Sequence, residues 1–236
     1  MNDPEQGAPV SDAPPVPRRA ETRHPSLLEL VTNPRGFFEA LETRPVSLRV
    51  PFLIVLAVGV VGAIAAYLVS ATLMSAMEIP GVEGLGGVIG AVGGISALIG
   101  TLLFWVIYTA VFYVISMAFK GQGDFNRLLA YVGYGHLPQV VGGIITAALT
   151  WSYLSDIHVP SLTDPGAIQE WTQSLLQNPT MQVSTAVGLL FLLWSANIWI
   201  FGVRSGRKLS TRDAAITVLV PVLIYILVTI VPTLVA

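Results

Sequence analysis

Five apolar stretches, each about 20 residues long, occupy most of the chain after residue 50, and nothing else in it restricts the fold so strongly. They run roughly from 51 to 73, 93 to 119, 126 to 150, 180 to 203 and 213 to 235. In hydrocarbon every backbone N–H and C=O must find a partner within the protein, so separate stretches of this length are expected to be helices. The predicted fold class is therefore all-α: a polytopic membrane helix bundle with five transmembrane helices. Composition agrees, with 53% hydrophobic residues, only 11% charged ones and a mean hydropathy of +0.71. The chain has no cysteine, which excludes disulfides, thiolate nucleophiles and zinc–thiolate sites.

Charge gives the bundle a direction. Arg18, Arg19, Arg23, Arg35, Arg44 and Arg49 precede the first span, Lys120 and Arg127 flank the second break, and Arg204, Arg207, Lys208 and Arg212 lie at the fourth. The other two breaks carry Glu78, Glu83, Asp156, Asp164 and Glu170 and no basic residue. By the positive-inside rule, the N-terminus is expected in the cytoplasm and Ala236 on the far side.

Residues 1 to 24 are rich in proline and poor in large apolar side chains, so a disordered cytoplasmic tail is expected there, solvated or partner-docking, and not a signal peptide. Residues 25 to 50 differ. Ser26-Leu27-Leu28-Glu29 has capping-box spacing, and Asn33-Pro34 places an N-cap residue before a proline. Two short interfacial helices should follow, with Phe37, Phe38 and Leu41 on one side. Two readings fit them: an elbow packed under the bundle, or a partner-docking surface formed by Arg35, Phe37, Phe38 and Leu41.

The remaining domain, 51–236, shows further local signals. Asp124, Asn178-Pro179 and Ser210-Thr211-Arg212-Asp213 are placed to begin the last three spans. The loop 152 to 179 is expected to hold an amphipathic helix with Ile168, Trp171 and Leu175 on one face. Gly59 and Ala63, Gly86, Gly90 and Gly94, and Gly143 and Ala147 recur at four-residue spacing. Such stripes let helices approach closely, within the bundle or between two copies.

The third stretch is unlike an ordinary lipid-facing helix. It carries tyrosines, glycines, the one histidine expected inside the bilayer, and Pro138, which should kink it near its middle. Tyr113, Tyr131, Tyr134, His136, Gln139 and Asn197 are all expected in the cytoplasmic half of the bilayer. They form either an intramembrane polar cluster that hydrogen-bonds internally and meets the carbonyl freed by Pro138, or a small pocket in which His136 changes charge. No HExxH, GxSxG, phosphate-loop or dinucleotide motif occurs, and no second histidine is placed to share a metal with His136. Neither enzyme activity nor a catalytic, cofactor or metal site is expected.

Asn33-Pro34-Arg35-Gly36-Phe37-Phe38 ahead of five spans, the turn Gly121-Gln122-Gly123-Asp124-Phe125, Tyr134 through Leu137-Pro138, and Leu209-Ser210-Thr211 before a last span bearing Pro221 resemble the Yip family over roughly residues 27 to 235. These are five-span proteins named for interaction with Ypt/Rab GTPases. The resemblance implies a cytosolic N-terminal segment and, for eukaryotic members, endoplasmic reticulum or Golgi membranes and a part in vesicle traffic. The opening motif and short tail look more like the bacterial and archaeal branch, where the cell membrane is expected and Rab binding does not carry over.

The resulting expectation is a non-enzymatic membrane scaffold or adaptor that meets membrane lipids and protein partners through its cytoplasmic face, with homo-oligomers open to it and no nucleic-acid partner. A transporter or channel for a small neutral or lipid-like solute is the alternative, and membrane shaping by the surface helices a third.

Overall fold

The computed structural model describes residues 25–76, 84–156 and 165–235, and the expected tail over 1–24 lies outside them. Among the described residues there are nine helices and no strand: α1 (Leu27–Thr32), α2 (Pro34–Glu42), α3 (Arg49–Ala76), α4 (Gly86–Ala118), α5 (Phe125–Tyr134), α6 (Leu137–Asp156), α7 (Pro165–Gln177), α8 (Pro179–Arg207) and α9 (Thr211–Val235). Five stretches are long and apolar enough to cross a membrane: Arg49–Met74, Gly86–Ala118, Leu137–Ser155, Pro179–Arg207 and Thr211–Ile230. Their outer faces carry exposed side chains such as Leu103, Val114, Leu190 and Val228, a surface suited to hydrocarbon rather than water.

Local signals start most of the helices. The Glu29 N–H donates to Ser26 Oγ at 3.2 Å and the Gly36 N–H to Asn33 Oδ1 at 3.1 Å, with Pro34 in the first turn of α2. Asn178 accepts from the Thr180 N–H at 2.8 Å, and Ser210 and Asp213 cap α9 reciprocally at 3.1 and 2.7 Å. Asp124 stands at the N-cap position of α5, but its side chain makes no capping bond. Several spans run well beyond their expected bounds, α3 among them at Arg49–Ala76. α4 begins at Gly86, and α8 continues through Arg204 and Arg207 until Lys208, in the left-handed region at φ 53°, ends it.

The third apolar stretch is two helices, not one kinked helix. α5 ends at Tyr134, Gly135 and His136 form a turn, and α6 starts at Leu137. Pro138 is therefore the second residue of α6, where a missing N–H breaks no helical bond. The break precedes the proline.

The surface helices are the second correction. Phe37 and Phe38 are 2% and 0% exposed, packed with Leu30, Ala130, Tyr131 and Ile198. They are core, so neither can belong to a docking surface, and the elbow under the bundle is what forms. Leu41 is half-buried at its edge, while Arg35 is exposed. α7 forms and packs on α8, but the side chains of Ile168 and Leu175 lie outside the described residues.

The spans close into a ring. α4 packs on α3, α3 on α6, α6 on α8, α8 on α9, and α9 returns to α4. α5 wedges into the basic end between α3, α4 and α8, where Trp105, Phe112, Leu128, Val132, Trp199, Val203, Val218 and Val222 form the main core. The small-residue stripes work within the bundle: a Cβ on Gly94 would lie 2.9 Å from the Ala63 carbonyl oxygen, and one on Gly143 would lie 3.2 Å from the Val61 side chain. Gly94→Val should consequently force α3 and α4 apart and cost about 1–3 kcal/mol. A lowered melting temperature in detergent would show it, against an unchanged or higher one for Gly100→Val, whose Cβ meets nothing within 4 Å.

Candidate functional site

A helix that stops inside a bundle leaves its last carbonyls without intrahelical partners. At the end of α5 the neighbouring spans supply donors. Trp199 Nε1 of α8 donates to the Val132 carbonyl, one of the last four, at 2.8 Å, and one turn earlier Trp105 Nε1 of α4 adds a bond to the Leu129 carbonyl at 3.0 Å. His136 Nδ1 lies 2.9 Å from the same Val132 oxygen, and because a carbonyl only accepts, Nδ1 carries the proton. The indole of Trp199 is seated so closely that a Cβ on residue 135 would collide with it, so only glycine fits there. The Gln139 N–H closes the turn onto the His136 carbonyl at 2.9 Å.

Beyond this break the ring encloses a cavity of about 600 Å³ lined by all five spans. His136 and Trp199 lie at its inner end. Val61, Ala65, Gly142, Leu189 and Leu192 line its walls, while Phe104 and Tyr225 are exposed at its rim. No charged side chain lines it. The threonine hydroxyls of its wall are engaged by their own helices: Thr101 on Ala97, Thr146 on Gly143, Thr185 on Met181 and Thr229 on Tyr225. The Gln139 amide and the hydroxyls of Tyr108 and Tyr225 have no hydrogen-bond partner among the described residues, and His136 offers Nε2 as an acceptor.

The residues expected to cluster are thus divided. His136 and Gln139 share the cavity. Tyr113 lies elsewhere, its ring 5.6 Å from Phe125 and beneath the Arg207 guanidinium at 4.0 Å. Tyr134 packs on Phe37 at 5.1 Å, and Asn197 is exposed on the outer face of α8. Tyr131 stands apart as well, its hydroxyl accepting from Arg127 Nη1 at 3.3 Å. None of the six hydrogen-bonds to another of them through its side chain.

Arg207, read from the sequence only as part of a basic break, is 2% exposed. Its Nε donates to Ser116 Oγ at 2.9 Å, Nη2 to the Gly121 carbonyl at 2.7 Å and Nη1 to the Gly123 carbonyl, while the Gln122 N–H returns a bond to the Arg207 carbonyl at 2.8 Å. No carboxylate joins this set. Carbonyl oxygens, the Tyr113 face and the C-terminal dipole of α8 stabilise the cation instead. Arg127 of α5 similarly reaches the Leu41, Glu42 and Arg44 carbonyls at 3.2, 3.2 and 3.3 Å, fastening α2 to the bundle beside a second cavity of about 500 Å³. On the surface, Glu39 bridges Arg35 at 2.9 Å and Arg204 at 3.2 Å.

A family model described as the Yip1 domain matches residues 28–231. Uncharacterized protein MJ0794 of Methanocaldococcus jannaschii is 36% identical over 132 residues, covering 56% of this chain and 92% of the relative. No solved structure matches the chain.

Two measurements test this end of the molecule. Trp199→Phe or His136→Leu alone leaves one side-chain donor on the Val132 carbonyl, whereas the double variant leaves none. The pair should therefore lose about 1 kcal/mol more than the sum of the singles in a thermal-melting double-mutant cycle, and strict additivity would refute the shared acceptor. Hydrogen bonds from Arg35 and Arg204 hold the Glu39 carboxyl below its ordinary value. A depressed folded value means that the contribution is complete above the unfolded value of 4.5 and vanishes as pH falls through the lower folded one. Amide exchange in α2, corrected for its intrinsic pH dependence, should rise over that acid window, and Glu39→Gln should abolish the rise.

Proposed function

The chain belongs to the Yip1 domain family, and from that premise we propose that it is a non-enzymatic, multi-pass membrane scaffold that presents its basic end to a cytoplasmic protein partner. The observation that carries this reading is how that end is built. Arg127 of α5 and Arg204 and Arg207 of α8 are each fastened to another element through carbonyl, hydroxyl or carboxylate oxygens. What results is a fixed platform, not a set of groups held ready for chemistry. Its outward side carries Leu28, 73% exposed, beside Leu27, Arg35 and Glu42, with Lys208 and Arg212 exposed at the α8–α9 turn. This face takes the place of the one expected at Phe37 and Phe38.

The excess of basic residues at this end supports a cytoplasmic orientation in the cell membrane. Rab binding is no part of the proposal. Transport of a neutral solute is less well supported, because the cavity is stopped toward the basic end by the core residues Phe112, Leu128, Val132, Val203 and Val218.

Photocrosslinking side chains placed at Leu28, Arg35 and Lys208 in the native cell test the scaffold. One protein of cytoplasmic origin should be captured reproducibly at two or more of these positions, and not from Gln173 of α7. Capture from Gln173 instead would reverse the orientation, and capture of lipid alone at every position would refute the scaffold.

A further inference from the structure

The cavity within the ring is made for something other than a through-path. Its wall is apolar along most of its length, it holds no charged side chain, and its rim residues Phe104 and Tyr225 are 60% and 47% exposed on the faces that lipid covers. At its inner end, His136 and Gln139 lie three residues apart on adjacent turns, the first offering an acceptor at Nε2 and the second an amide that donates and accepts. Polar groups without partners in hydrocarbon cost free energy, so an occupant that supplies both a donor and an acceptor at that end is favoured.

We propose that this cavity is a binding site for an uncharged long-chain amphiphile drawn from the bilayer, its hydroxyl head held by His136 and Gln139 and its chain lying against Val61, Ala65, Leu189 and Leu192. A fatty acid would bring a carboxylate to an end without a cation. A phospholipid would bring a phosphate with the same difficulty. The volume of about 600 Å³ falls within the range of sites for a single small ligand. This inference does not depend on the scaffold reading: a lipid-loaded protein with no partner, or a partnered protein with an empty cavity, would separate the two.

The test uses the full chain in nanodiscs and three photoactivatable probes carrying a diazirine on the chain: hexadecanol, palmitate and phosphatidylglycerol. The alcohol should label peptides from α6 and α8, be competed by unmodified hexadecanol, and exceed the other two probes. Gly62 and Gly188 both line the cavity, and a Cβ meets nothing within 4 Å on Gly62 and its nearest neighbour at 3.9 Å on Gly188, so Gly62→Leu and Gly188→Leu are the substitutions chosen to plug the site. Either plug should remove the competable labelling while leaving the melting temperature level or higher. Gln139→Leu, which keeps the volume and deletes the polar head group's partner, should weaken competition by the alcohol about tenfold. Labelling that survives a folded plug variant, equal or stronger labelling by palmitate or phosphatidylglycerol, or no competable labelling at all would overturn the site.

Discussion

The Val132 carbonyl is where the molecule's hardest local problem is met. A backbone oxygen released by a helix break has no water to turn to inside a bilayer, and leaving it bare costs several kcal/mol. Here it receives the indole N–H of Trp199 and the imidazole N–H of His136. The break is thus a bond between α5 and α8 as well as an interruption, and much of the inner architecture follows. The Trp199 ring needs a residue without a side chain at position 135 and stacks on Tyr108 of α4 at 6.1 Å. Turning the chain at His136 also places Gln139 on the cavity wall. One oxygen left over by the break thus ties α5 to α8 and to the turn at 135–136, where the backbone departs from the helix at depth.

The basic end meets a related problem with opposite sign. Arg207 is a buried cation with no acid, and such a group is costly unless its protons are received. The turn 121–123 receives them, which explains why two glycines stand there: Gly123 has φ 116°, open to glycine and to few other residues, and lies against the Gly206 carbonyl. Because the acceptors are uncharged carbonyls and a hydroxyl, no proton uptake in the ordinary pH range loosens this joint. The Arg35–Glu39–Arg204 bridge on the surface lacks that immunity.

Much of the fold was legible because its signals are local. The apolar stretches, the caps at Ser26, Asn33, Asn178 and Ser210, and the glycine stripes each depend on neighbours within about one or two helical turns; the caps and stripes appear where they were expected, and the stretches become spans whose ends mostly lie a few residues outside the expected bounds, the third of them broken in two. The candidate site was legible only in part. Pro138 announced an irregularity, but the place of the break was decided by Trp199, more than sixty residues away, for which no local pattern speaks. The apolar face of α2 was visible, yet periodicity says only that Phe37 and Phe38 want cover and not whether a partner, a membrane or Tyr131 provides it. Depth alone grouped Tyr113, Tyr134 and Asn197 with His136. Depth does not give azimuth, and those three point to other sides of the bundle. Arg207 was hidden among basic neighbours, its one clue being a glycine-rich turn without an acid to pair it.

The joint at Arg207 also orders events in time. The turn that leads into the third span is made 84 to 86 residues before the side chain that fastens it. At ordinary rates of synthesis that interval is on the order of ten seconds. Until α8 has been made, the Gly121 and Gly123 carbonyls have no guanidinium to accept from, although α4 and α5 already have each other and α3 to pack on. The last turn of α8 then closes the basic end like a bolt shot after the door is hung. The basic end can therefore be locked only once the fourth span has been made, and a single guanidinium does the locking.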